Sequence, residues 1–384
     1  MKVFFTLDTL GIGGTEGSTL EIISRFSQNT KVKLIYFYPP HELKEEYEKA
    51  GIEVQFVPLK TKTSFVQAIK SLIKIIREEK PDLIVSSIAK ADLISRIACW
   101  ITRTKVIGTF INDTYGESRI KEMKMKKKYL TFYYFWMLDK ITAKIPVYWI
   151  SNSKSIAFSN AHALSIRKNK IQVIYRGRET KNFLNWESQP IHQNFKFVFL
   201  GRLIERKGLR ELIEAFATLK ETHKDIQLDI YGKGDFHNEL KNIIAQHNMT
   251  ESIFLNGPVL NGYTKLYDAH CFVFPSWYEG FSGTLIEAML AGIPIIASNI
   301  SMNLEAVTDH KTALVFKVND KLDLIEKMKA MINNYPVMVE MGKQARLEAL
   351  SRFDINRISE QYEAFLKSVV ENKVDTTQLL QKED

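Results

Sequence analysis

The sequence predicts two doubly wound α/β domains, each a parallel sheet covered by helices, and three observations lead there. Short apolar runs rich in Val, Ile and Phe alternate with longer amphipathic segments along the chain, the pattern of strands buried on both faces and joined by helical crossovers. The 384 residues exceed what one hydrophobic core usually serves. The alternation also pauses once and then resumes, as it does between domains.

The first series of strands reads "KVFFTL", "KVKLIYFY", "EVQFVPL", "DLIVSSI", "KVIGTFI", "VYWISNS" and "KIQVIYR". Residues 178–195, "RETKNFLNWESQPIHQNF", are polar, broken by Pro190 and without periodicity, so the connection is placed there. A second series follows with "FKFVFLGR", "IQLDIYG", "IFLNG", "CFVFPS", "PIIAS" and "ALVF". The expected division is a first domain over 1–185, a second over 186–354, a C-terminal helix over 355–372 that crosses back to the first domain, and a flexible tail over 373–384. Ligands of such sheets bind beyond the carboxyl ends of the strands. The loops after "FFTL", "FLG", "IYG" and "FPS" are therefore the informative ones, and they carry glycine.

Composition narrows the class. Forty-five per cent hydrophobic and 25 per cent charged residues are values of a folded chain. Cys99 and Cys271 lie far apart with no CxxC or Cys/His pattern, which argues for reduced thiols, no structural metal and a cytosolic setting. The opening "MKVFFTLDTLGIGGTEG" meets Asp8 after a brief apolar run and reads as a strand, not a signal peptide. No stretch approaches the roughly 20 apolar residues of a spanning helix. The net charge of +9 permits nucleic acid, membrane surface or phosphorylated partners and chooses none.

Three loops could carry chemistry. After the first strand, Gly11, Gly13 and Gly14 precede a helix, where backbone amides and the helix dipole suit an anion; the same residues also fit a tight strand-to-helix turn. Glu16 stands where a dinucleotide fingerprint needs glycine, which disfavours a nicotinamide dehydrogenase. In "FLGRLIERKGLRELIEAF", Arg202 ends a strand and Lys207 precedes Gly208 and a helix. Two fixed cations match a diphosphate, with hydrogen bonds to charged groups worth roughly 1.5–3 kcal/mol each; a solvated basic turn is the other reading, and Arg206 is expected to be the solvated member. In "YEGFSGTLIEAMLAGIPIIAS", Glu279 and Glu287 frame Gly280, Ser282 and Gly283, with a helix expected from near Thr284. Thr284 with Glu287 matches a capping box, which leaves Glu279 and the small residues unexplained.

"EGFSGTLIE" resembles the Glu, seven residues, Glu motif of the retaining nucleotide-sugar glycosyltransferases of GT-B fold in family 4, the glycosyl transferases group 1. "GRLIERKG" is similar to that family's Gly-Arg-Leu and Lys-Gly element, and "GIGGTE" to its N-terminal glycine loop. The likeness is continuous over about 196–318; in the first half it rests on architecture and one loop. It implies two domains facing a cleft, an acceptor in the first and the nucleotide sugar in the second. It further implies Glu287 on the ribose hydroxyls, Arg202 and Lys207 on the diphosphate, and Glu279 on hydroxyls of the donor sugar. The amides of Phe281, Ser282, Gly283 and Thr284, and of Gly13 and Gly14, would line diphosphate and sugar.

The chain has no Asp-x-Asp, so the resemblance implies metal-independent transfer without a cofactor, Arg202 and Lys207 taking the metal's place. Many members carry a histidine after the strand equivalent to "KVIGTF"; here the chain reads "FINDTYG", so Asn112 or Asp113 is the expected stand-in. The segment "SNISMNLE" lacks the glycines often found before Glu305.

Residues 119–144, "RIKEMKMKKKYLTFYYFWMLDKITAK", hold eight Lys or Arg against two acidic residues. Basic charge beside aromatics suits a helix resting on anionic lipid; a core helix with a solvated charged end fits equally. The resulting expectation is a cytoplasmic enzyme of bacterial-type surface glycan synthesis, docked on the inner leaflet, with a nucleotide-sugar donor and a glycan or lipid-linked acceptor. The rival is a GT-B protein that binds a nucleotide sugar without transfer, an epimerase or inactive subunit, which the missing histidine favours. A nucleic-acid-binding role would explain the charge and leave the paired glutamates and glycine loops unexplained.

Overall fold

The computed structural model describes residues 1–59, 64–125, 129–184, 186 and 194–380. It forms two compact units: Met1–Gly177 together with the chain from Ile355, and Arg178–Asp354. In the first unit the strands are β1 (Lys2–Leu7), β2 (Lys31–Tyr36), β3 (Glu53–Phe56), β4 (Leu83–Ser86), β5 (Val106–Phe110), β6 (Tyr148–Ser151) and β7 (Ile171–Val173). They pair in the order β3-β2-β1-β4-β5-β6-β7, with every neighbour parallel. Helices α1 (Gly14–Ile23), α2 (Lys44–Lys49), α3 (Phe65–Glu79), α4 (Ala89–Thr102), α5 (Glu117–Met125), α6 (Tyr129–Thr142) and α7 (Lys154–Leu164) lie between them.

The second unit repeats the plan with β8 (Phe195–Leu200), β9 (Ile226–Tyr231), β10 (Ile253–Gly257), β11 (Cys271–Phe274), β12 (Ile295–Ser298) and β13 (Leu314–Phe316), in the order β10-β9-β8-β11-β12-β13, again all parallel. Its helices are α8 (Leu209–Thr222), α9 (His237–Gln246), α10 (Gly283–Ala291), α11 (Ser301–Ala306), α12 (Lys321–Asn333) and α13 (Tyr335–Arg352). Strand order reverses between β1 and β4 in one sheet and between β8 and β11 in the other. Crevices at the carboxyl ends of such strand pairs are where doubly wound sheets take ligands.

Helix α14 (Ile355–Val370) belongs to the first unit. Ile358, Tyr362, Phe365, Leu366 and Val369 form one apolar face and join Phe5, Leu7 and Ile23 in the core. Beside that face Glu363 is buried and accepts hydrogen bonds from the Ser27 amide (3.1 Å), the Ser27 hydroxyl (2.6 Å) and Thr30. Burial opposes ionisation, but these donors and Lys367 outweigh it and hold the carboxyl at about 2. The folded pKa lies below the unfolded one, so this contribution is complete above about pH 5 and fades as pH falls through about 2. Glu363→Gln is therefore expected to lower the urea midpoint at pH 7, with the gap from wild type narrowing steadily below pH 4.5; a gap independent of pH would refute the linkage.

Two boundaries differ from the reading of the sequence. The units divide at Gly177/Arg178, and much of the polar stretch placed between domains is part of the second unit: Phe183 and Trp186 are buried, and the Trp186 indole donates to the Ala269 carbonyl at 3.1 Å. Two buried aromatics anchor a segment that is otherwise mostly polar. The expected flexible tail is tied down as far as 380, because Leu379 and Leu380 are buried and the Leu380 amide extends the β7 edge by donating to Ile171 at 2.9 Å. Residues 381–384 of that tail, 126–128 of the basic segment, and 185 and 187–193 of the expected connection lie outside the described residues.

Candidate active site

In the second unit the site is built where the loops after β8 and β11 meet. Gly208 has φ +67°, and a Cβ there would stand 2.1 Å from the Pro275 carbonyl oxygen. Only glycine lets the two loops lie this close. The approach sets Lys207 against Glu279, with Nζ 2.5 Å from Oε1 and the two residues 7% and 8% exposed. Lys207 also lies over the Phe274 ring at 5.0 Å. Burial would raise the Glu279 pKa, but the charges of Lys207 and Arg206 and the hydrogen bond from Lys207 outweigh it. The carboxyl stays below the usual range and is ionised at neutral pH. One of the three ammonium protons of Lys207 is used by the pair, which leaves two for another acceptor.

Arg206 is not the solvated member of the three basic residues. Arg206 is half-buried with its guanidinium 4.8 Å from the centre of the Tyr278 ring, whereas Arg202 is exposed and its side chain has no hydrogen bond or ion pair among the described residues. An aromatic neighbour from the other loop captured the residue that charge counting left in solvent.

Helix α10 begins at Gly283, and Ser282 is its N-cap, its hydroxyl accepting from the Leu285 amide at 3.4 Å. The capping box on Thr284 and Glu287 therefore does not form: Leu285 occupies the third helical position, and Glu287 lies a half-turn further on. Its Oε1 accepts from Arg178 Nε at 2.7 Å instead. Oε2 has no hydrogen bond among the described residues, and the side chain is one-fifth exposed. The amides of Gly283 and Thr284 stand outside the helix's own ladder. Phe281 is buried against Phe353, ring centroids 5.5 Å apart, so only its backbone can face a ligand.

In the first unit Gly13 is the uncapped N-cap of α1. A Cβ on Gly13 would meet the Glu16 carboxylate at 2.3 Å, and one on Gly14 would meet the Arg176 guanidinium at 3.4 Å. The helix start is thus flanked by an acid and a base. Asp113 is held between helix α7 and its own loop: Oδ1 accepts from Ser159 Oγ at 2.6 Å, and the carboxylate packs on Gly116, where a Cβ would stand 1.9 Å from Oδ2. Burial raises its pKa against those bonds. Asn112 is exposed, with no partner for its side chain among the described residues.

Sequence reasoning missed Arg178, Arg176 and Asp8. The first two follow "VIY" and fall outside the region of motif likeness; a basic residue at a strand end was their only signal. Asp8 ends β1, and its Oδ1 accepts from the Ala91 amide at 2.6 Å, capping α4 where Ile88 has φ +72°. Burial pushes the Asp8 carboxyl up to about 6, against the Ala91 bond and Lys90.

Helix α6 is apolar on two sides. Phe132, Phe135 and Trp136 line a cavity against α4, while Leu130 (82% exposed), Tyr134, Met137 and Ile141 (67%) form a stripe in solvent. Among the described residues no helix is long and apolar enough to cross a membrane, and no group of three or more His, Cys, Asp or Glu could hold a metal ion.

Comparison with known proteins defines the class. A family model described as Glycosyltransferase Family 4 matches residues 12–182, and one described as Glycosyl transferases group 1 matches residues 181–348. The chain belongs to this glycosyltransferase family and has the GT-B fold. HepE of Anabaena, solved in complex with UDP, is similar over 96% of this chain and 100% of its own, with TM-score 0.81 and 19% identity. The capsular polysaccharide biosynthesis glycosyltransferase CapM of Staphylococcus aureus is 24% identical over 81% of this chain and 85% of its own. The N-acetylgalactosamine-N,N'-diacetylbacillosaminyl-diphospho-undecaprenol 4-alpha-N-acetylgalactosaminyltransferase of Campylobacter jejuni is 26% identical over 52% of this chain and 54% of its own.

Proposed function

We propose that this glycosyltransferase moves a sugar, with retention and without a metal ion, from a UDP- or GDP-sugar to a lipid-linked or polysaccharide-precursor acceptor of a bacterial-type surface glycan. The buried Lys207–Glu279 pair carries the reading. Two ammonium protons and the exposed Arg202 remain for a diphosphate, and an ionised Glu279 accepts sugar hydroxyls. Glu287 receives the ribose through its open Oε2. The amides of Phe281, Ser282, Gly283 and Thr284 line diphosphate and sugar. Asn112, whose side chain is free, fits the acceptor side better than Asp113.

The bond from the anomeric carbon to the diphosphate oxygen breaks first, and Arg202 and Lys207 stabilise the charge that leaves. The oxocarbenium-like sugar is then attacked by an acceptor hydroxyl on the face just vacated. The hydroxyl proton passes to the departing diphosphate, so configuration is kept and no protein nucleophile is needed. UDP in HepE, capsule synthesis by CapM and the diphospho-undecaprenol acceptor of the Campylobacter enzyme agree with these choices. The exposed stripe of α6, with Lys121, Lys124 and Lys144 exposed nearby, suits docking on the anionic inner leaflet of a cytoplasmic membrane.

A thermal-shift screen with UDP, GDP and their sugars tests the donor, since a ligand present at 100 times its Kd adds about 2.7 kcal/mol to stability. One nucleotide series should raise the melting point, and the labelled sugar should appear in lipid extract with its anomeric configuration unchanged and with chelator present. Binding without turnover would favour the epimerase or inactive-subunit reading; no stabilisation by any nucleotide would remove both.

A further inference from the structure

The cavity between α4 and α6 in the first unit is absorbed by none of the donor chemistry. It measures about 80 Å³ and is lined by Ala89, Leu93, Tyr115, Phe132, Phe135 and Trp136, with Thr114 and Asp139 completing the wall. That is roughly half the volume of an apolar cavity that takes up benzene, about 150 Å³. Its polar groups are already engaged: Asp139 receives Arg96 through one oxygen and Tyr115 through the other. A sugar ring would find few partners for its hydroxyls there. An alkyl chain needs none.

Two further features choose the occupant. The cavity wall and the exposed stripe Leu130, Tyr134, Met137, Ile141 are faces of the same helix, at positions i, i+4, i+7 and i+11 for the stripe. At about 3.6 residues per turn the two sets lie on opposite faces of α6, so the stripe can rest on a membrane while the wall faces α4. Next to Asp139 of the wall, Lys140 places its ammonium 5.0 Å from the centre of the Trp136 ring, a cation of the right sign for an anionic headgroup. The loop carrying Asn112 runs directly into Thr114 and Tyr115 of the wall.

We infer that this cavity is a binding site for the hydrocarbon of an alkyl or isoprenyl phosphate, seating the first few carbons of a lipid acceptor's tail with the phosphate beside Lys140. The inference rests on the lipid-linked reading of the acceptor and adds the place where the lipid is held. It makes recognition of the tail a property of the folded first unit, separate from adsorption of the stripe to a membrane.

The probe is a dodecyl phosphate carrying a nitroxide on its chain, used with the full-length protein below its micelle concentration. Saturable quenching of tryptophan fluorescence is expected, and Trp136→Phe should remove most of the quenched signal. Ala89 is exposed at the cavity mouth, so Ala89→Phe fills the opening without burying new polar groups. It should weaken probe binding at least tenfold, while Ala89→Ser leaves it within twofold and both variants melt like wild type. Inorganic phosphate at the same concentration should not compete. The double variant Leu130→Ser/Ile141→Ser should lose flotation with anionic vesicles and keep the quenching, whereas Ala89→Phe should still float. Quenching that survives Ala89→Phe, or that disappears together with flotation in the stripe variant, overturns the cavity as the site. Probe binding intact with no transfer to any lipid-linked acceptor would instead count against the acceptor reading alone.

Discussion

Replacing Glu279 by alanine is expected to destabilise the second unit by about 3–5 kcal/mol, the cost of leaving a buried charge without its partner. Lys207 is 7% exposed and its side chain passes over Phe274, so little water is at hand to replace the lost carboxylate. The urea midpoint followed by tryptophan fluorescence should fall accordingly, Trp277 adjoining the pair. Replacing both partners with apolar groups, Lys207→Met with Glu279→Leu, should recover most of the loss, because a buried ion pair adds little over hydrophobic residues of similar volume. Activity should go the other way. Lys207→Met alone should lower turnover about 10²–10³-fold, the effect of removing one preorganised group from a developing charge, and the stable double variant should transfer no sugar. A Glu279→Ala protein that unfolds at the wild-type midpoint would show the pair to be solvated and remove the central feature of the site.

Most of the framework was legible because its signals are local. Each strand of both sheets coincides with an apolar run of the sequence, since strands covered on both faces tolerate little else. The strand-end rule then pointed to the loops after β8 and β11, and glycine to the places where backbone approaches backbone, of which Gly208 is the clearest. What stayed hidden depends on partners distant in sequence. Arg178 and Glu287 are 109 positions apart, and nothing in either neighbourhood announces the other. Arg206 reads as solvated until Tyr278 arrives from the facing loop. Ser282 took the cap expected of Thr284, because the hydroxyl one residue before the first helical position is the one aligned with the free amides. Asp113 and Asn112 are indistinguishable by type, but Gly116 and Ser159 claim the carboxylate and leave the amide in solvent.

Glu287→Ala should weaken binding of the stabilising nucleoside diphosphate roughly 10- to 100-fold by calorimetry, with little change in the melting point of the free protein. A hydrogen bond to a charged acceptor is worth roughly 1.5–3 kcal/mol, and each 1.4 kcal/mol is about a tenfold change in Kd. Stability should move less because the Arg178 pair is partly solvated, and such pairs contribute about 1 kcal/mol or less. Glu287 is also not the N-cap of α10, a role held by Ser282, so its removal does not unravel the helix start. Arg178→Ala separates orientation from contact: it leaves the carboxylate in place but releases Oε1, so it should cost less affinity than Glu287→Ala, and a 2′-deoxy nucleotide should narrow the difference between wild type and Glu287→Ala. Equal affinity of wild type and Glu287→Ala for the nucleotide, with the melting point also unchanged, would mean that the carboxylate faces solvent and that the ribose is held elsewhere.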